Sequence, residues 1–139
     1  MTEKIKKVMS FGTFDGIHPG HVDFLKQCYN FGDRLIVIVA RDKNVKKIKG
    51  RVPKKNEIQR RQELIDSGLA DEVILGKFDD KYKLVEYHKP DVICLGYDQQ
   101  YFTKNLPNKL KEFGLDETEI AKLKSFHPEK YKSSKINGN

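Results

Sequence analysis

DRLIVIVA, Asp33 to Ala40, is an unbroken apolar run of strand length, rich in β-branched residues. A strand with one face in water alternates apolar and polar side chains. A run that does not alternate is buried on both faces, as inner strands of a parallel sheet are. DEVILG, Asp71 to Gly76, and DVICLG, Asp91 to Gly96, repeat the pattern, and KIKKVMSF leads the set with Ile5, Val8 and Met9, ending at Gly12. Helical spacing fills the gaps. A helix from about Pro19 to Phe31 carries Val22, Phe24, Leu25, Cys28 and Tyr29. NEIQRRQELIDSG carries Ile58, Leu64 and Ile65 and stops at Gly68; YKLVEYH halts before Pro90, and LPNKLKEFG follows. TEIAKLKSF fits the alternation as an edge strand with Ile120 and Leu123 inward. Parallel strands need crossover connections, so this order predicts an α/β fold: an open parallel sheet of about five strands with helices on both faces. At 139 residues, residues 1–139 are expected to form a single domain.

Composition narrows the function. Hydrophobic residues make up 37% and charged residues 34%, as in a soluble protein, and no apolar run approaches the roughly 20 residues that cross a bilayer. MTEKIKKVMSFG lacks the apolar core of a secretory signal, so a cytoplasmic protein with no membrane partner is expected. Cys28 and Cys94 lie far apart, each within an apolar pattern, which argues against a disulfide framework and makes Cys94 a buried strand residue. The net charge is +7, yet Arg41 to Arg61 alone holds ten Lys or Arg against Asp42 and Glu57, a local excess of +8. The remainder is near neutral. Basic charge concentrated in one connection suits a compact polyanion such as a triphosphate at least as well as a duplex; no nucleic-acid partner is expected, and the competing reading is a non-catalytic, basic nucleic-acid-binding module.

In an open α/β sheet ligands bind beyond the carboxyl ends of the strands, where strand order reverses. The first strand delivers GTFDGIHPGH, Gly12 to His21, to that edge. Gly12 is expected to allow a sharp turn, Pro19 suits a first helical turn, and Gly20 permits close approach. The backbone N–H groups there point outward with the positive end of the helix dipole. His18 and His21, three residues apart, share one side. Together these residues form a phosphate cradle. No third ligand accompanies the two histidines, so no protein metal site is expected, and the absence of a Gly-x-x-x-x-Gly-Lys loop excludes a P-loop enzyme.

The pattern G-T-F-D-x-x-H-x-G-H resembles the signature of the cytidylyltransferase-like nucleotidyltransferases, a Rossmann-like superfamily. That resemblance implies that Thr13 and Phe14, through their backbone, and His18 and His21 hold a triphosphate. Ser133 and Ser134 in KSSKI are similar to the family's second phosphate element, which would open a final helix with only a few residues left. KGR, QRRQELI, DEVILG and PDVICLGYDQ most resemble the archaeal FAD synthases, which transfer AMP from ATP to FMN. By that resemblance Asp98 touches the nucleotide, Lys49 and Arg51 reach phosphates, and Arg60 and Arg61 sit nearby, unless the arginines pair with Glu57 or Glu63 on a helix surface. The nearest rival is glycerol-3-phosphate cytidylyltransferase, with CTP in place of ATP. If FMN is the acceptor, as the resemblance to the FAD synthases implies, its phosphate is already largely ionised at neutral pH and can attack the α-phosphorus of ATP directly, without a general base. His18, His21, Lys49, Arg51 and the helix N-terminus neutralise the leaving pyrophosphate, with a divalent ion, Mg²⁺, bridging phosphates. Asp15 either places the metal or acceptor or caps the following turn. Tyr101 and Phe102 are candidates to stack on the flavin. Relatives commonly form dimers, and the composition allows a homodimer.

Overall fold

The computed structural model describes residues 5–80, 82–96 and 104–124. Five parallel strands pair in the order β3-β2-β1-β4-β5. They are β1 (Lys7–Gly12), β2 (Arg34–Val39), β3 (Glu72–Leu75), β4 (Val92–Leu95) and β5 (Glu119–Lys122). The helices are α1 (Pro19–Cys28), α2 (Asp42–Lys49), α3 (Glu57–Ser67), α4 (Lys83–His88) and α5 (Leu106–Glu112). Strand order reverses between β1 and β4, so the crevice beyond Gly12 and Leu95 is the topological switch point.

Period-two alternation sends each strand's residues to two separate cores. Leu35, Val37 and Val39 of β2 join Val8, Val92 and Cys94 under Leu25 of α1 and Leu64 of α3. Ile36 and Ile38 join Met9, Ile93 and Leu95 under Val85 of α4 and Leu106 and Leu110 of α5. Helices therefore cover both faces, and the absence of polar alternation in DRLIVIVA has its cause. On β5, Ile120 packs into the second core while Ala121 enters the first, joined by Leu123 just past the strand, so the two residues expected inward face opposite sides of a doubly covered sheet. Cys28 and Cys94, distant in sequence, share the first core as free thiols. The adjacent Cys94 thiol and burial push the Cys28 thiol well above the ordinary cysteine range, which keeps it protonated and unreactive.

The amino ends of three strands are fixed by one repeated device. Asp33, Asp71 and Asp91 each stand one residue before a strand, and each makes two bonds to a single residue of the neighbouring chain segment. Asp33 donates its N–H to the Lys6 carbonyl (2.8 Å) and accepts the Lys6 N–H on Oδ2 (3.0 Å). Asp71 does the same to Leu35 (3.0 and 2.8 Å), and Asp91 to Lys7 (2.9 and 2.8 Å). A carboxylate thus satisfies the backbone donor that a sheet edge would leave open.

Three local expectations are corrected. The first helix ends at Cys28, because Asn30 and Phe31 continue only as turns bonded to Gln27 and Cys28. The basic stretch after β2 is not a plain connection: its first half is α2, which buries Val45 and stops at Gly50 in the left-handed conformation. On α3 only Leu64 of the expected apolar face is buried. Ile58 is 61% exposed, and the inward position belongs to Arg60, at 0%.

Candidate active site

The loop after β1 is built around Phe14. Its backbone is left-handed (φ 54°), a conformation unfavourable for a side-chain-bearing residue, while its ring is buried and lies over Gly12. A Cβ at Gly12 would sit 2.5 Å from Cε2 of that ring. Gly12 is therefore required by close approach, since only Gly16 among the loop glycines has a positive φ, of 85°. Gly12→Ala is expected to cost about 1–3 kcal/mol by overpacking and to displace the loop. Denaturant unfolding and nucleotide titration of the variant check this.

His18 and His21 close the start of α1 as a capping box made of histidines. His18 Nδ1 accepts the N–H groups of Gly20 (3.0 Å) and His21 (3.4 Å), and His21 Nδ1 accepts the His18 N–H (3.3 Å). Two donors expected to face a phosphate are thus already bonded within the turn. An Nδ1 that accepts carries no proton, so each neutral ring bears its hydrogen on Nε2 and remains a donor without charge. The rings stack with centroids 3.7 Å apart, and His21 also meets the Phe14 ring at 5.1 Å. Burial first, then the His18 ring, with Lys49 adding, push the His21 pKa down to about 4, against the pull of the Gly16 carbonyl.

That shift has a sign in stability. The folded chain resists a proton that the unfolded chain takes near 6.5, so the stability associated with neutral His21 is present above that pH. It is lost as pH falls from about 6.5 to about 4. Unfolding midpoints of the wild type and His21→Gln are expected to converge over this window; parallel profiles would refute the assignment.

Behind the loop, Arg60 is a buried joint. Its guanidinium donates to the Thr13 carbonyl (2.7 Å), the Lys55 carbonyl (3.0 Å) and Asp42 Oδ1 (2.5 Å), linking the β1 loop, the loop before α3 and α2. Asp15 makes the second link: its oxygens accept the N–H groups of Lys54 (2.8 Å) and Lys55 (3.0 Å), and those bonds hold its carboxyl below the usual range. Asp15 thereby positions the basic loop rather than capping its own turn. Arg41 pairs with Glu57 (2.8 Å), Lys55 with Glu63, and Arg61 donates to the Val73 carbonyl (3.0 Å). Arg60 and Arg61 therefore do not pair with Glu57 or Glu63.

Of the residues expected from sequence, Thr13, Phe14, Asp15, His18, Pro19, Gly20, His21 and Lys49 come together. Lys49 Nζ lies 3.5 Å from Thr13 Oγ1. Arg51 is exposed on the loop just after α2 and makes no bond to another described residue. Asp98, Ser133 and Ser134, with Tyr101 and Phe102, lie outside the described residues. The structural role of Arg60 was not readable from spacing, because its partners stand 5, 18 and 47 residues away. Among the described residues no group of three His, Cys, Asp or Glu could hold a metal, and no helix is long and apolar enough to cross a membrane.

A doubly covered parallel sheet reversing at β1, with a histidine-capped helix at the reversal, defines a Rossmann-like α/β protein. The family model described as cytidylyltransferase-like matches residues 9–139, and the chain belongs to that family. A FAD synthase of Ferroglobus placidus is 46% identical over 122 residues, 87% of this chain and 78% of that one. A FAD synthase of Pyrococcus horikoshii is 42% identical over 134 residues, 96% of this chain and 90% of that one. The crystal structure of a lipopolysaccharide core biosynthesis protein from Thermoplasma volcanium superposes with a TM-score of 0.81 at 34% identity, covering 88% of this chain and 99% of that one. A pantoate-beta-alanine ligase from Francisella tularensis shares the fold alone, with a TM-score of 0.62 at 15% identity over 91% of this chain and 62% of that one.

Proposed function

We propose that the chain is an FMN adenylyltransferase, a nucleotidyltransferase domain over residues 1–139 that converts ATP and FMN to FAD and pyrophosphate in the cytoplasm. The observation that carries the reading is the pair of histidines held through Nδ1 at the switch point, with Lys49 beside Thr13. Kinship with chains named FAD synthase supports the choice of substrates. An ionised FMN phosphate oxygen forms a bond to the α-phosphorus of ATP, and the bond from that phosphorus to the bridging oxygen breaks. Pyrophosphate leaves with the electron pair. His18 and His21 donate to oxygens where charge grows, and Lys49 and Arg51 supply positive charge. With its carbonyl held by Arg60, Thr13 offers its N–H and hydroxyl, and Phe14 its N–H. Asp98, Ser133 and Ser134 complete the nucleotide site in this reading.

The donor set suits Mg²⁺ carried on the triphosphate better than a protein cage, because Asp15 already accepts two N–H groups and no ligand cluster stands near it among the described residues. Such an ion would supply neutralisation of phosphate charge; the protein's part is to align and donate. The deciding experiment incubates the protein with ATP plus FMN and, separately, with CTP plus glycerol 3-phosphate, and measures pyrophosphate and FAD. Equimolar pyrophosphate and FAD from the first mixture are expected. Pyrophosphate from the second mixture alone would overturn the reading.

A further inference from the structure

Beside α2, away from the histidines, runs a groove of about 610 Å³ lined by Lys43, Asn44, Lys46, Lys47, Phe78 and Asp79, within the size range of small-molecule sites. Its floor is held in place from two sides. Arg41 donates Nε to the Gly76 carbonyl (2.8 Å), bonds Glu57 through Nη1 (2.8 Å), and lays its guanidinium 4.4 Å from the centre of the Phe78 ring. Asn44 Nδ2 donates to the Lys77 carbonyl (3.0 Å), tying α2 to the loop that carries Phe78. The Phe78 ring is thus anchored by a cation and still 55% exposed, which leaves it open to a planar partner.

We infer that this groove is the acceptor's ring subsite, in which the planar isoalloxazine stacks on Phe78 between the stems of the α2 lysines. The inference rests on the reading of FMN as acceptor. The ends of β1, β2 and β3 are level: the Ala40 N–H bonds the Gly12 carbonyl and the Gly76 N–H bonds the Val39 carbonyl, each at 2.9 Å. Phe78 lies just past the end of β3, and Lys49 with Thr13 marks the end of β1. Two strand spacings of about 4.8 Å separate those ends, about 10 Å in all. A ribityl chain spans a gap of that order. Its phosphate then reaches the β1 end of the site, on the side of the α-phosphorus opposite the leaving pyrophosphate, while the ring reaches Phe78. Lys46 stands one helical turn before Lys49, so cations line the path from groove to phosphate. The flavin ring thus lies on the β3 side of the site.

The test is steady-state FAD synthesis by wild type, Phe78→Ala, Phe78→Tyr and a Tyr101→Ala/Phe102→Ala double variant, with KM for FMN and ATP measured separately. Phe78→Ala is expected to raise KM for FMN about tenfold, the loss of one aromatic stacking partner, with KM for ATP unmoved and Phe78→Tyr restored. Quenching of FMN fluorescence on binding should weaken in Phe78→Ala and return in Phe78→Tyr. An unchanged KM for FMN in Phe78→Ala, or an effect confined to the double variant, overturns the subsite while leaving FAD synthesis standing. No FAD from the wild type removes the FMN reading itself, and the subsite with it.

Discussion

Replacing His18 by asparagine is expected to lower turnover about 10²- to 10³-fold, the effect of losing one donor to developing charge, while leaving the thermal midpoint close to that of the wild type. The asparagine oxygen can accept from Gly20 and His21 as Nδ1 does, so the cap survives and only the Nε2–H is lost. His18→Ala removes both, and is expected to show the same kinetic loss with an added stability cost of about 0.5–2 kcal/mol. His21→Ala should match it in rate. Initial rates of pyrophosphate release set beside melting curves separate the two roles of each ring. If the asparagine variant turned over at the wild-type rate, the histidine would be a cap and nothing more.

The largest stability effect is expected at Arg60. Arg60→Met should cost about 2–4 kcal/mol in denaturant unfolding, because it leaves the carbonyls of Thr13 and Lys55 without their donor and takes the ion-pair partner from Asp42, whose side chain is 32% exposed and keeps the Glu57 N–H. Arg60→Lys should recover little: one ammonium cannot reach three acceptors that a planar guanidinium serves at once. Adding Asp42→Asn to Arg60→Met should return part of the loss, since the uncompensated charge is then gone. A cost below about 1 kcal/mol for Arg60→Met would mean that water relaxes into the site and that the joint is dispensable.

The sheet was legible because doubly buried strands cannot hide their composition. DRLIVIVA and DVICLG have no polar alternation, and the two cores explain why. The start of α1 was legible for a different reason: Pro19 and the i, i+3 histidines are local chemistry, and local chemistry survives in a linear reading. H-P-G-H is in fact a capping box with imidazoles replacing the usual hydroxyl and carboxyl, a pattern visible once histidine is allowed as a cap. What escaped was non-local. Arg60 sits in an Arg-Arg pair whose members look equivalent in sequence, yet one is fully buried by groups from three segments and the other bonds β3. α2 escaped because four of its eight residues are lysine and only Val45 is buried, so its periodicity lies in charge rather than hydrophobicity. Phe78 gave no sign of its exposure, which depends on where Arg41 and Asn44 hold its loop.

The three aspartates that lead into β2, β3 and β4 divide the molecule into a conservative edge and a liberal one. Each fixes strand register at the amino end with side-chain and backbone bonds to one neighbouring residue, before the strand has run its length. Register set there is independent of the loop at the strand's far end. Loops at that opposite edge can then change length and side chains, and with them the ligand, without a slip that would turn every core residue outward. Such a scaffold can acquire a new acceptor by exchanging loops alone, while the pairing that holds the histidines in place stays as it was.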